Sequence, residues 1–241
     1  MKATKTLLGA LALATVLSGC NMNNTAKGGL IGSAGGGALG AGLGAAIGAL
    51  AGGSSGAKLG AAIGAGVGVA GGTTAGVLIG KKMDKAKAAA EAVENAEVEN
   101  IKDKNGLDAV KVTFDNGILF KVGKSQLQSG AQSSLRQFAQ NVLNVYTDCD
   151  VAIYGFASSD GSDATNLKLS QERANAVNTF LTSTCGVNNA QIKNTTGYGE
   201  DPNYLVVDEN GKEDREASRR VEIYLYASEA MINAANAGTL K

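Results

Sequence analysis

Apolar and polar positions along the 241-residue chain fall into three regimes. Residues 1–20, MKATKTLLGALALATVLSGC, place Lys2 and Lys5 before an apolar run from Leu7 to Leu17, which is too short for a mature transmembrane helix and has the layout of an export signal. Between residues 28 and 80 glycine recurs at every fourth position without a miss, from Gly28 to Gly80. From Glu97 onward, alternating stretches and stretches of helical period follow one another. Val98–Lys102 and Ala109–Phe114 alternate around Asn105-Gly106, a hairpin turn pair. A strand-like stretch, Ile118–Phe120, leads to a helix near Gln126–Tyr146 with Leu135, Phe138, Val142 and Val145 on one side. Then come a strand at Val151–Tyr154, a helix over Asp163–Thr182, a strand at Gln191–Thr195 and a last strand, Arg220–Tyr226, whose Val221, Ile223 and Leu225 point one way. Strands alternating with helices over about 130 residues predict an α/β fold, an α+β two-layer sandwich that can bury its own core.

The glycine register predicts helices that pack very closely. Positions i and i+4 share a helix face, so the repeat draws a groove without side chains along one side and lets another helix approach backbone to backbone. Small polar residues and Lys58 in GGSSGAK, residues 52–58, interrupt the run and suggest a hairpin of two helices of about 24 residues, each long enough to cross a bilayer. Glycine costs about 1 kcal/mol relative to alanine in an exposed helix, so the segment needs lipid or a packed partner. Membrane insertion or self-association through this segment is the expectation, and a flexible linker is the alternative. Beyond Lys81 and Lys82, the alanine-rich MDKAKAAAEAVENA is expected to be a charged helical spacer that carries the chain away from the membrane.

Composition narrows the function. Of the 34 glycines, 21 lie between residues 28 and 80, so the bias belongs to that segment and not to the whole protein. The chain has no histidine, which removes the usual general base, the commonest metal ligand and any Ser-His or Cys-His nucleophile pair. Lysine and arginine balance aspartate and glutamate at 22 each, without the basic excess that nucleic-acid binding draws on. G-x-G-x-x-G occurs at Gly35, Gly37, Gly40 and at Gly66, Gly68, Gly71, but no strand precedes either match. Neither a cofactor nor a metal is expected.

Two sets of cysteines follow. Leu17-Ser18-Gly19-Cys20 resembles the bacterial lipobox, which implies that Cys20 carries three acyl chains and becomes the new N-terminus. Asn21, in place of an inner-membrane retention aspartate, favours the outer membrane by the same resemblance. An exported chain lives where disulfides persist. Cys149 opens a predicted strand and Cys185 closes the helix after it, so the two form either a disulfide or a pair of free thiols.

The chemical anomaly is Arg173. Leu169, Arg173, Val177 and Leu181 are four apart, so the guanidinium emerges from an apolar helical row, with Asn166 two turns behind on the same face. Placed towards the positive end of its helix, the arginine favours an anion. The loop Gly155-Phe156-Ala157-Ser158-Ser159-Asp160-Gly161 lies at the same sheet edge and bears a carboxylate. Arginine beside a carboxylate suits a zwitterion; the competing expectation is an internal ion pair with Asp160 or Asp163 that binds nothing.

Asn166-x2-Leu169-Ser170-x2-Arg173-Ala174-x2-Val177-x3-Leu181 resembles the signature of the OmpA-like C-terminal domain shared with Pal-type and MotB-type proteins. Gly197-Tyr198-Gly199-Glu200 and Arg219-Arg220-Val221-Glu222-Ile223 resemble its two later motifs. The glycine segment is similar to the glycine zippers of outer-membrane lipoproteins. The resemblance implies noncovalent binding of peptidoglycan, with Arg173 gripping the carboxylate of meso-diaminopimelate in the stem peptide. It also implies an aspartate for the diaminopimelate ammonium, fifteen residues before that arginine, where this chain has Ser158. Asp160, two residues on, could substitute for it if its loop points it inward. A second departure is Ser218, where the family has asparagine.

The chain thus divides into a signal peptide (1–19), a lipidated N-terminus (20–27), a glycine-zipper hairpin (28–80), a charged spacer (81–96), an OmpA-like domain (97–227) and a tail (228–241) of no assigned role. A wall-binding outer-membrane lipoprotein is expected, with its domain in the periplasm and its site at Arg173, Asp160, Ser158 and Asn166. Two alternatives stand beside it: a membrane oligomer or pore built on the zipper and only anchored by the domain, and an enzyme using Asp160 and Glu200 as a carboxylate pair.

Overall fold

The computed structural model describes residues 73–103 and 105–240. The signal peptide, Cys20 and the zipper up to residue 72 lie outside the described residues. The elements in order are α1 (Thr73–Glu91), β1 (Ala96–Lys102), β2 (Asp108–Asp115), α2 (Asn116–Leu119), α3 (Ser129–Phe138), β3 (Cys149–Gly155), α4 (Asp163–Thr179), β4 (Ile192–Gly197), α5 (Arg215–Ser218), β5 (Arg220–Ala227) and α6 (Glu229–Asn236). Helices α3 and α4 each run on into a π turn, at Ala139–Leu143 and Phe180–Thr184.

The five strands form one sheet in the order β1-β2-β5-β3-β4. β1 and β2 make the predicted hairpin, from Ala96 opposite Phe114 to Lys102 opposite Asp108. β5 enters between β2 and β3, antiparallel to both. Only β3 and β4 are parallel, because a helix, α4, carries the chain back across the sheet between them. All the longer helices share one face. There Val110, Val112 and Phe114 of β2, Val151 and Ile153 of β3, and Val221, Ile223 and Leu225 of β5 meet Leu135, Phe138, Val142, Val177 and Leu181. The α+β two-layer sandwich is therefore the observed architecture.

Two segments depart from expectation, and the tail gains a place in the fold. Ile118–Phe120 is not a strand: Asp115 Oδ1 accepts from Gly117 N at 2.5 Å and starts the one-turn helix α2, and Phe120 makes only an isolated bridge with Leu127. β2 has already ended at Asp115 opposite Arg220, and Leu119 and Phe120 both enter the core, which a helical turn allows and an alternating strand does not. The charged spacer is helical as expected, as far as Glu91, but it packs on the domain instead of forming a separate segment. α1 runs unbroken through the boundary drawn between residues 80 and 81 and buries Ala75, Ile79, Met83, Ala86 and Ala90, a stripe spaced by three and four, against β1, β2 and α6. Its Lys82 pairs with Asp148 at the entry to β3. The tail is the last helix of the same layer: Ser228 Oγ accepts from Met231 N at 3.1 Å, and Met231, Ile232 and Ala235 pack under α1. No helix among the described residues is long and apolar enough to cross a membrane.

Candidate functional site

The site is built where α4 crosses the ends of β3 and β4. The crossing is so close that a Cβ on Gly155 would lie 2.3 Å from the Ser170 carbonyl oxygen, and one on Gly197 2.2 Å from Gln171 N. Ser170 Oγ accepts from Gly199 N at 2.8 Å and Gln171 Oε1 from Gly197 N at 2.9 Å, so the middle of α4 is bolted to the sheet edge. Arg173, three residues beyond Ser170, is thereby held against the connection between β2 and α3.

Arg173 is 2% exposed, yet no carboxylate among the described residues pairs with it. Its Nε donates to the Lys124 carbonyl at 3.1 Å. The Asn116 amide, oriented with its oxygen towards the guanidinium, accepts from Nη1 at 3.0 Å and from Nη2 at 3.2 Å. The Phe120 ring lies 5.4 Å from the guanidinium carbon. Burial, and secondarily the charge of Arg219, push the Arg173 pKa down to about 10. It remains a cation at neutral pH, held by neutral oxygens and a ring face, and an incoming anion would relieve it. The helix dipole contributes little: Arg173 is the eleventh of the 17 residues of α4, beyond the first turn over which that effect acts.

The expected internal ion pair is absent. Asp160 is bound instead by Arg215 Nη1 at 2.9 Å, by Arg219 Nη1 at 3.4 Å and by the Ser158 hydroxyl at 3.1 Å. Arg219 Nη1 also donates to Ser158 Oγ at 3.4 Å. Asp163 sits in the first turn of α4 behind the Ser162 cap, exposed. The Asn166 amide nitrogen donates to the carbonyls of Ser158, at 3.1 Å, and Asp160, at 2.8 Å, and to the Glu200 carboxylate. Asn166 therefore shapes the 158–160 loop. Ser158 and Asn166 are buried, while Asp160 is exposed at the rim.

The sequence profile of the OmpA family matches residues 119–219, which span every one of these groups except Asn116. Residues 119–219 are an OmpA-family domain. Among curated relatives, outer membrane porin F of Pseudomonas aeruginosa is 34% identical over 122 residues, covering 50% of this chain and 34% of that protein. Outer membrane protein A of Bordetella avium is 31% identical over 137 residues, covering 53% of this chain and 63% of that one. The chain thus spans from about a third to under two thirds of the length of these relatives. Among solved structures, the peptidoglycan-associated lipoprotein of Burkholderia pseudomallei is 28% identical, with a TM-score of 0.38, over 45% of this chain and 88% of that one.

Within the OmpA-family domain, and just before it at Asn116, several working residues carry no signal of their own in the sequence. Asn116, Phe120 and the Lys124 carbonyl enclose Arg173 from a connection with no motif, and Arg215 reaches Asp160 from a one-turn helix. The adjacent arginines of the last motif part company. Arg219 turns to the Ser158 loop, whereas Arg220, on the sheet face away from the helices, donates to Glu222 Oε1 at 2.6 Å and to the Tyr204 and Ser218 carbonyls, and stacks 4.2 Å from the Phe156 ring centroid. Five of the six tyrosines gather on that face with Phe156, and Tyr198 of the Gly-Tyr-Gly motif stacks on Phe156 at 5.6 Å. A groove of about 780 Å³ opens there, but its buried charges are already matched, Lys111 with Glu99 and Arg220 with Glu222.

Cys149 and Cys185 are both free thiols, so the disulfide alternative is not the one taken. Cys149 is buried in the core where β3 begins, and burial pushes its thiol well above the usual range; Cys185 is shifted upward for the same reason, against the opposing charge of Arg136. Neither is a reactive thiolate. Among the described residues no cluster of three or more His, Cys, Asp or Glu side chains could hold a metal ion.

Proposed function

We propose that this protein binds peptidoglycan noncovalently and ties an outer membrane to the wall. The observation that carries the reading is Arg173: a guanidinium already stripped of water, oriented by Asn116 and Lys124, and lacking the carboxylate that would complete it. A stem-peptide carboxylate of diaminopimelate would take the two terminal nitrogens in the bidentate geometry that planar guanidinium permits, replacing the weaker amide oxygen of Asn116. Because the desolvation of the arginine is already incurred in folding, the ligand gains the charge-assisted bonds without that cost. The OmpA-family match, the relatives named as outer membrane proteins and the lipobox-like Cys20 support a triacylated lipoprotein with its domain facing the wall.

The protein acts by holding its ligand. The carboxylates that a hydrolytic mechanism would need are engaged, Asp160 by two arginines and Glu200 by Asn166. The test is co-sedimentation of the full chain with purified sacculi. Arg173→Ala is expected to weaken retention by about 3 kcal/mol, roughly a hundredfold, for the loss of a bidentate charged contact. Undiminished retention of that variant, with its circular dichroism unchanged, or failure of the wild type to sediment, defeats the proposal.

A further inference from the structure

We infer that the site prefers a diamino-acid carboxylate whose neighbouring amine has been acylated, as in a cross-linked stem peptide, over one whose amine is a free ammonium. The inference rests on the reading of Arg173 as the carboxylate grip and concerns the other half of the ligand.

Three arginines converge here. Arg173 and Arg219 both meet Asn116, whose side-chain oxygen accepts from Arg173 and whose backbone N–H donates to the Arg219 carbonyl at 3.2 Å, and Arg219 and Arg215 share Asp160. Two carboxylates meet them: Asp160, and Glu213, which lies 3.8 Å from Arg215 and accepts from Ser159 N at 3.0 Å. Glu200 lies against the Asn166 amide and makes no ion pair with any of the three. One further negative charge therefore completes the set, whereas a zwitterion brings no net charge and places its ammonium among cations. An ammonium that recruited Asp160 would strip Arg215 and Arg219 of their shared partner.

The residue beside the grip is suited to a neutral group. Ser158 is 3% exposed, and its hydroxyl accepts from Arg219 and donates to Asp160. A hydroxyl oxygen can also accept from an amide N–H, but it carries no charge with which to hold an ammonium. Acylation converts the amine into such an N–H and leaves the adjacent carboxylate intact for Arg173.

The experiment is calorimetric titration of the full chain with a soluble stem tripeptide ending in meso-diaminopimelate, its side-chain amine either free or acetylated. A third peptide has the adjacent carboxylate converted to the carboxamide. The wild type is expected to bind the acetylated peptide several-fold more tightly than the free amine and the carboxamide at least tenfold more weakly than either. Ser158→Asp should reverse the preference by roughly tenfold or more, the worth of one charge-assisted hydrogen bond. Arg215→Ala, at an exposed position, is a second variant; it frees Oδ1 of Asp160 while Arg219 and Ser158 keep Oδ2, and should raise free-amine affinity several-fold. A wild type that favours the free amine, or an order of preference that neither substitution alters, overturns this inference while leaving the Arg173 grip standing. Equal binding of the carboxamide, or no binding of any peptide, overturns the grip and the inference with it.

Discussion

Arg173 and Arg220 are both buried, one in the helical layer and the other on the opposite face of the sheet, yet they are satisfied in contrary ways. Arg220 has a buried carboxylate, Glu222, backbone carbonyls at Tyr204 and Ser218, and a ring beneath it; the two carbonyl contacts fasten the 201–218 segment to β5. Arg173 has two neutral oxygens and a ring, and no carboxylate among the described residues pairs with it. The difference separates a structural cation from a binding one. A buried charge with its counter-charge closes a network, and a buried charge without one stores an unmet demand for an anion.

That contrast can be broken at either arginine. The largest effect is expected from Arg220→Ala, which leaves the Glu222 carboxylate buried and unpaired and should lower the unfolding free energy by about 3–5 kcal/mol in urea titration. A loss below 1 kcal/mol would mean that Arg220 is no more structural than its neighbour. Arg173→Met keeps the apolar stem and removes the lone charge. Thermal unfolding should be unchanged or shifted upward, while affinity for sacculi falls about a hundredfold. Marked destabilisation would show that Asn116 and Lys124 satisfy the cation fully. The smallest effect is a pH dependence of binding. The free-state pKa of Arg173 is lowered to about 10, and a bound carboxylate raises it, so binding above that pH must take up a proton. Affinity measured by titration should be level between pH 7 and 9 and fall by up to about tenfold per unit above pH 10. A fall below pH 9 would implicate a different group.

The alternation of β2 and β5 and the helical period of α4 made the sheet and the site's helix legible, because those patterns arise from neighbours within a few residues. The position of Arg173 on a core-facing row is legible for the same reason, since Val177 and Leu181 follow it at four-residue spacing and both enter the core. The partners of the site were not. Asp160 looks available to Arg173 in sequence, only thirteen residues away, yet Arg215 and Arg219 take it from more than fifty residues downstream. The place of α1 is masked in the sequence because its glycines at positions 76 and 80 continue the four-residue register, while the stripe that enters the core, Ala75, Ile79 and Met83, runs alongside that register. The aromatic cluster was invisible because its rings come from β3, β5 and the loop after β4 and meet only across the sheet.

The sequence by itself determined the period of each element, the core-facing row on which Arg173 sits and the uncharged residue at Ser158. The tertiary structure decided which charges are already spent. Local periodicity is set by bond geometry over one or two turns, whereas the pairing of charges depends on distances through space, and those come into being only when β5 is inserted between β2 and β3 and brings Arg219 beside the loop that carries Ser158 and Asp160.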